Sequence, residues 1–237
     1  FNEFYQGYSP KGILTLQKTF ALFDFDGTLC PGDSLIPFCL YAYRHGLCSL
    51  GQLFRGGAAG LGYGLHLLSA KRAKEITLCF LKGKSQAQVA QAARGFCREK
   101  LLPRLYAQGM EAVKRHHNAG ERVLLVSASP ELYLTCLREK LPIDGLIATR
   151  MYVDENGLYT GQMAGENCRG VEKPLRLAEY LAARGLEVDY AASTAYGDSG
   201  GDAPMMELCG RKVAVNPKKK LQKRLRHSSG VTVARWK

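Results

Sequence analysis

Phe20-Ala21-Leu22-Phe23-Asp24-Phe25-Asp26-Gly27-Thr28-Leu29 is an apolar run that stops at two aspartates spaced by one residue. Phe20 to Phe23 read as a short buried strand, and Gly27 supplies a turn directly behind the second acid. Asp24 therefore stands at the carboxyl end of a strand, the edge where open α/β sheets bind ligands. An Asp-Gly turn is by itself a common loop element. What the two acids do is decided by the rest of the chain.

Working outward, Cys30-Pro31-Gly32-Asp33-Ser34 reads as a turn that hands over to a helix. Asp33 or Ser34 is its N-cap, and Leu35, Ile36, Phe38, Cys39, Leu40 and Tyr43 follow at helical spacing. A helical pattern without strand-like alternation continues to about Lys114, so residues 30–114 read as an inserted helical module. Within it, Gly56 to Ala70 is rich in Gly, Ala and Leu, with no Asp, Glu, Lys or Arg and His66 as its only basic residue. That stretch is too short to span a bilayer. It reads as a tightly packed helix pair, with shallow insertion into a lipid surface as the alternative.

Beyond the insert, Arg122–Ser127, Leu146–Thr149, Ala191–Tyr196 and Lys212–Val215 read as strands. Helical patterns over Met110–Asn118, Leu132–Lys140 and Lys173–Arg184 alternate with them. Met151 to Met163 is a hairpin turning at Asp154-Glu155-Asn156-Gly157. The alternation predicts an α/β fold with a doubly wound parallel sheet, built from residues 1–29 and 115–237, with the helical insert as a cap. Residues 1–18 read as an irregular lead-in.

The composition fits a folded protein: 46% of the 237 residues are hydrophobic and 23% charged, which excludes wholesale disorder. A net charge of +12 favours anionic partners such as phosphorylated substrates, nucleic acid or acidic lipid. The segment from Arg211 to Lys237 holds ten of the 33 Lys and Arg residues and none of the 21 Asp and Glu residues. Its basic run from Lys218 to Arg226 reads as a solvated helix face, or as an electrostatic contact with acidic membrane lipid at about 1 kcal/mol per basic residue. No aromatic stacking pattern accompanies the charges, so nucleic acid is not an expected partner. The eight cysteines form no CxxC pair or zinc-like cluster, and reduced thiols in a cytoplasmic protein are expected. No signal peptide is visible in the first 18 residues. The chain starts at Phe1 rather than Met, which leaves open a missing beginning.

Three predicted strands end in polar residues, Asp24, Ser127 and Asp198, and Lys173 opens the helix before the third of these. A doubly wound sheet brings such ends side by side. The chemistry this assembles is phosphoryl transfer. A carboxylate, Asp24, attacks phosphorus once the phosphate charge is neutralised. Asp24, the backbone carbonyl of Asp26 and Asp198 supply hard oxygen ligands for Mg²⁺. Lys173 and Ser127 contribute a charge and a hydroxyl donor to the phosphoryl oxygens. Asp26 shuttles the proton, and Asp202, one helical turn past Asp198, orients Lys173 or a metal-bound water.

The four stretches Asp24-Phe25-Asp26-Gly27-Thr28-Leu29, the strand ending at Ser127, Glu172-Lys173-Pro174 and Gly197-Asp198-Ser199-Gly200-Gly201-Asp202 resemble, in order and spacing, the motifs of the haloacid dehalogenase superfamily. The long helical insert between the first two is similar to the cap of the phosphoserine-phosphatase-like branch, subfamily IB. The Thr149 to Gly161 hairpin and Asn167-Cys168-Arg169-Gly170-Val171-Glu172-Lys173 resemble a group of hydrolases to which bacterial phosphatidylglycerophosphate phosphatases are related. The resemblance covers roughly Phe20 to Pro217. It implies Mg²⁺-dependent hydrolysis of a phosphate monoester, with Asp24 as nucleophile and Asp26 as acid and base. The substrate is either a lipid phosphate such as phosphatidylglycerophosphate or a small phosphate such as phosphoserine. Asp33 matches the family position that contacts the amino group of phosphoserine, one methylene shorter than the usual Glu, and Arg72 is the candidate for a substrate carboxylate. The expectation from another class is a non-catalytic binder of acidic surfaces; the intact acids at 24, 26, 198 and 202 oppose it.

Overall fold

The computed structural model describes residues 18–237, so the expectations for the lead-in and for a leader peptide lie outside the described residues, Lys18 apart. Strand β1 (Phe20–Phe23) is buried at every position, as a continuous apolar run must be when helices cover both faces of a parallel sheet. The chain then enters α1 (Leu35–Arg44), α2 (Leu50–Gly64), α3 (Ala70–Thr77), α4 (Gln86–Phe96) and, after irregular helical turns, α5 (Ala107–Asn118). Ser49, Ser69 and Ser85 cap α2, α3 and α4, each accepting a backbone N–H three residues on. The order continues with β2 (Arg122–Pro130), α6 (Glu131–Leu134), β3 (Gly145–Thr149), the hairpin β4 (Met151–Val153) and β5 (Tyr159–Met163), and α7 (Glu172–Ala182). It closes with β6 (Thr194–Gly197), α8 (Ala203–Met206), β7 (Arg211–Val215), α9 (Lys219–Arg224) and β8 (Val231–Ala234).

Six of these strands form one parallel sheet in the order β3-β2-β1-β6-β7-β8. The chain starts at the centre, winds outward to β3, and returns across β1 to build the other half. The order therefore reverses between β1 and β6, and a crevice opens at the carboxyl edge of such a switch point. Phe23 pairs with Leu125 on one side and Tyr196 on the other. That register brings Asp24, Ser127 and Asp198 to the same edge within one residue of one another.

Side chains alternate between the two faces, as strand geometry requires. Ala21, Phe23, Val123, Leu125 and Tyr196 join a cluster with Ala112 and Val113 of α5, while Phe20, Leu22, Leu124, Val126 and Ala195 join one with Leu177 and Leu181 of α7. The first cluster runs on into the helices between β1 and α5 through Phe38, Phe80, Phe96 and Leu101. Helix α5 is continuous across residue 114.

Three expectations need correction. A sixth strand, β8, pairs with β7 at the sheet edge; its four residues, Val231-Thr232-Val233-Ala234, are a very short run behind a long basic one. The helix expected over Leu132–Lys140 is a single α turn continued as a tighter helix over Thr135–Glu139. The cysteines are not all reduced, because Cys97 and Cys136 form a disulfide with a Cα–Cα distance of 6.5 Å, within the span a disulfide bridges. The argument from cysteines to a reducing compartment no longer stands. Among the described residues no helix is long and apolar enough to cross a membrane. The basic run forms α9, in which Leu221 is buried, as is Leu225 directly after its end, while Lys219, Lys220, Lys223 and Arg224 face solvent.

Candidate active site

Asp24 leaves β1 as its backbone N–H donates to Tyr196 O at 3.0 Å, which locks the residue onto the neighbouring strand. Its Oδ2 accepts from Thr28 Oγ1 at 3.0 Å and its Oδ1 from Lys173 Nζ at 2.6 Å. The Lys173 ammonium is fully buried, and its other protons go to Val126 O at 2.8 Å and Asp202 Oδ1 at 2.7 Å. All three donors of the ammonium are thus engaged, which a buried cation requires. Asp202 precedes α8 and takes both the N–H and the hydroxyl of Ser199 on its Oδ2, at 2.9 and 2.8 Å. Asp198 follows β6 and is buried, with Lys218 Nζ at 2.6 Å from its Oδ2. The tight turn at Gly27, φ +86°, lies directly against it; a Cβ there would overlap the Asp198 carboxylate.

Asp26 is held by the helical segment and the β2 edge together. Ser34 N donates to its Oδ1 at 2.9 Å, and Ser129 Oγ donates to its Oδ2. Ser34 Oγ lies 3.2 Å from Ser129 Oγ and 2.9 Å from Tyr133 OH, so a buried hydroxyl chain supports the Asp26 carboxylate from below. Ser127 sits on the cavity wall with Oγ accepting from Ser129 N at 3.0 Å. It caps no helix, since α6 begins at Glu131.

The charges are unbalanced in one direction. Burial first, and the Asp202 charge second, raise Asp24 to about 7 against the pull of Lys173. Burial and the Asp33 charge raise Asp26 to about 6, with Ser129 and Ser34 pulling it back. Asp198 is raised, chiefly by burial. Asp202 also suffers burial, but Lys173 and Ser199 outweigh it and leave its pKa lowered. Lys173 is the mirror image: burial opposes its charge, and the two carboxylates more than restore it.

Carboxylate oxygens of Asp24, Asp198 and Asp202 lie within 4.8 Å of one another, and all three residues are buried. Three buried carboxylates face one buried ammonium, and an all-oxygen donor set of that charge suits a hard divalent cation such as Mg²⁺. The sequence expectation grouped the carboxylates of Asp24 and Asp198 with the backbone carbonyl of Asp26 as ligands. The side-chain cluster holds Asp24, Asp198 and Asp202, and Asp202 has its oxygens engaged by Lys173 and Ser199.

These residues form the floor of a cavity of about 750 Å³ whose far wall comes from α1, α2 and α3. Asp33 reaches its rim, where Oδ1 accepts from Leu35 N at 2.8 Å. Arg72 lies outside the cavity lining, exposed and paired with Glu75 at 3.5 Å. Lys74, two residues on, is the one that enters: its Nζ donates to Ala128 O at 2.5 Å and Asn167 Oδ1 at 2.7 Å. Burial lowers its pKa to about 8. Arg169 donates to Tyr63 OH at 2.5 Å, linking the segment before α7 to α2 across the cavity. Sequence reasoning missed Lys74, Arg169, Lys218 and the Ser34–Ser129–Tyr133 chain. Of these, Lys218 was hidden in a charge run and the hydroxyls carry no local signal.

A model of the haloacid dehalogenase-like hydrolase family matches residues 21–207. The chain is 34% identical over 191 residues to protein CicA of Caulobacter vibrioides, covering 80% of this chain and 82% of that one. It is 28% identical over 208 residues to a histidinol-phosphatase of Neisseria meningitidis, covering 87% and 94%. Among solved structures, a protein of unknown function from Bordetella pertussis Tohama I superposes with a TM-score of 0.82 at 28% identity, covering 92% of this chain and 98% of that one.

Proposed function

The chain belongs to the haloacid dehalogenase-like hydrolase family, and from that premise we propose that it is a Mg²⁺-dependent phosphatase hydrolysing a phosphate monoester through an aspartyl-phosphate on Asp24. The observation that carries the reading is the buried ammonium of Lys173, bridging Asp24 and Asp202 at 2.6 and 2.7 Å on the floor of a large cavity. A nucleophile is held in place by that bridge, and its neighbours are arranged for a charged reaction centre. The division into a catalytic core, residues 1–29 and 115–237, and a helical cap, residues 30–114, is part of the same reading.

Asp24, Asp198 and the backbone carbonyl of Asp26 would hold Mg²⁺, which supplies neutralisation of the phosphoryl charge and so admits an anionic nucleophile. In the first half-reaction an Asp24 carboxylate oxygen bonds to phosphorus as the ester P–O bond breaks. Asp26 gives its proton to the departing oxygen, and the alcohol leaves. A pKa near 6 keeps Asp26 able to hold that proton close to neutral pH and to surrender it. In the second half-reaction Asp26, now a carboxylate, takes a proton from a water whose oxygen bonds to phosphorus. The Asp24–phosphorus bond breaks, and inorganic phosphate and the Asp24 carboxylate are restored. Lys173 holds Asp24 in line throughout, and Ser127 offers its hydroxyl to a phosphoryl oxygen. Asp202 keeps Lys173 in place.

The relative named as a histidinol-phosphatase supports phosphate-ester hydrolysis by this chain. Contact of the basic tail with acidic lipid is a second, separate element of the proposal, supported by the solvent-facing Lys219, Lys220, Lys223 and Arg224 of α9. The test of the catalytic reading is phosphate release from simple alkyl phosphates with Mg²⁺, with excess chelator, and with Asp24→Asn. Turnover that needs Mg²⁺ and vanishes in Asp24→Asn is expected; equal turnover in the variant removes Asp24 as nucleophile.

A further inference from the structure

We infer that the cavity selects phosphate monoesters whose alcohol part is an extended apolar group, laid along α2, over amino-acid phosphates. This rests on the phosphatase reading above and names the substrate class for the same site.

The first ground is size. A cavity of about 750 Å³ is in the range that encloses a drug-sized molecule, and the phosphoryl group occupies only its carboxylate floor. The second is the chemistry of the far wall. Ile36, Leu40 and Leu61 line it while remaining 65%, 43% and 71% exposed. Large apolar side chains in a concave wall, left in contact with water, gain on burial by an apolar occupant.

The third ground is the placing of glycine. Helix α2 carries Gly57 and Gly60 in its interior, both lining the cavity, and a Cβ added to either would meet nothing within 4 Å. Gly62 of the same helix is different: its Cβ position comes within 3.1 Å of Leu68, so packing accounts for it, while Gly56 would meet Thr77 at 3.4 Å. Glycine inside a helix costs roughly 0.5–1 kcal/mol relative to alanine. No neighbouring atom requires Gly57 or Gly60. What their lack of side chains provides is room between α2 and the floor.

The fourth ground is the state of the polar groups. An amino-acid phosphate brings an ammonium and a carboxylate that must find partners when they leave water. Gln52 closes the N-cap of α2 through Ser49 N, and Asp33 accepts from Leu35 N. Arg72 is outside the lining, and Lys74 is already held by Ala128 O and Asn167 Oδ1. Arg169, the other cation facing this wall, is held by Tyr63 OH, so the wall offers an apolar chain more than it offers a zwitterion.

The experiment is a kcat/KM series with Mg²⁺ on ethyl, butyl, hexyl and octyl phosphate, all dissolved as monomers, beside phosphoserine. We expect kcat/KM to rise with length, by up to roughly three- to fourfold for each methylene that becomes buried, and phosphoserine to fall below butyl phosphate. Gly57→Leu and Gly60→Leu fill the wall, and each is expected to cut the octyl-to-ethyl ratio by about tenfold. Both add helix propensity, and the wild-type series stands without them if either fails to fold. A flat length dependence, or phosphoserine as the best substrate, overturns the inference while leaving the phosphatase reading in place. Release from none of the five overturns both. A final arm sets octyl phosphate against a single-chain lipid phosphate in vesicles. A preference for either supports the apolar class and tells whether the occupant comes from solution or from a bilayer; equal inactivity toward both contradicts it.

Discussion

The floor and the far wall of one cavity are built in opposite ways. On the floor, Asp24, Asp198, Asp202 and Lys173 are all buried, and their contacts are polar and short. On the wall, Ile36 and Leu61 remain largely exposed, and glycines stand in a helix interior with empty space before them. The floor is fixed by strand ends of a parallel sheet, where the register leaves little freedom. The wall belongs to helices that meet the core through Phe38, Phe80 and Phe96, and it can vary without disturbing the strand ends. In the proposed mechanism chemistry and selectivity fall on different elements, and each can be perturbed alone.

Substitution at the floor should be the most costly. Lys173→Met leaves Asp24 and Asp202 facing each other without their shared cation, so folding stability should fall by about 3–5 kcal/mol, read as a lower urea midpoint. Activity should drop with it, and a variant of normal stability would mean that the two carboxylates are not held by this ammonium. A smaller change is expected at the rim of the floor. Lys218 is an exposed side chain that pairs with Asp198 at 2.6 Å, in competition with a bound cation. Lys218→Ala should tighten Mg²⁺ binding by about two- to fivefold in calorimetry, the scale of one exposed ion pair. Weaker binding would assign Lys218 to holding the Asp198 carboxylate in its binding orientation.

Smaller still is the coupling that runs from the hydroxyl chain to Asp26. Its pKa stands at about 6, raised by burial and by Asp33, and the Ser129 hydrogen bond favours the charged form. Removing that donor in Ser129→Ala makes ionisation harder, so the pKa should rise further. Asp26 must be protonated for the first half-reaction, and the falling limb of the kcat/KM profile should move to higher pH. A shift to lower pH would contradict the assignment of Asp26 as the proton donor. The least effect is expected on the outer side of α2. Phe54 is 71% exposed, and Phe54→Ser should change stability by less than about 0.5 kcal/mol. A larger loss would show that α2 is covered by something in the folded protein.

The same contrast governs how much could be read in the sequence. Asp24, Ser127 and Asp198 announce themselves at the ends of apolar runs, Lys173 and Asp202 at the starts of helices, and Asp26 by its spacing from Asp24; the sheet does the rest. β1, β2, β3, β6 and β7 were legible for the same reason. β8 was not, since Val231-Thr232-Val233-Ala234 is short and half exposed at the sheet edge. Lys218 looked like one charge among many, although its backbone N–H donates to Asp198 O and its ammonium to the Asp198 side chain. Arg72 and Lys74 illustrate helical phase: two residues on a helix differ by about 200°, so one enters the cavity as the other leaves it. The Ser34–Ser129–Tyr133 chain and the Cys97–Cys136 link join positions 95, 99 and 39 residues apart, and no local pattern encodes either.

The most direct test of the account is to trap the covalent intermediate. Wild-type protein with Mg²⁺ and octyl phosphate, quenched in acid during turnover and mapped by peptide mass spectrometry, should carry a hydroxylamine-sensitive phosphoryl group on Asp24. Asp24→Asn treated alike should carry none. A phosphoryl group on any other residue, or turnover by wild-type protein with Asp24 unmodified throughout, would contradict it.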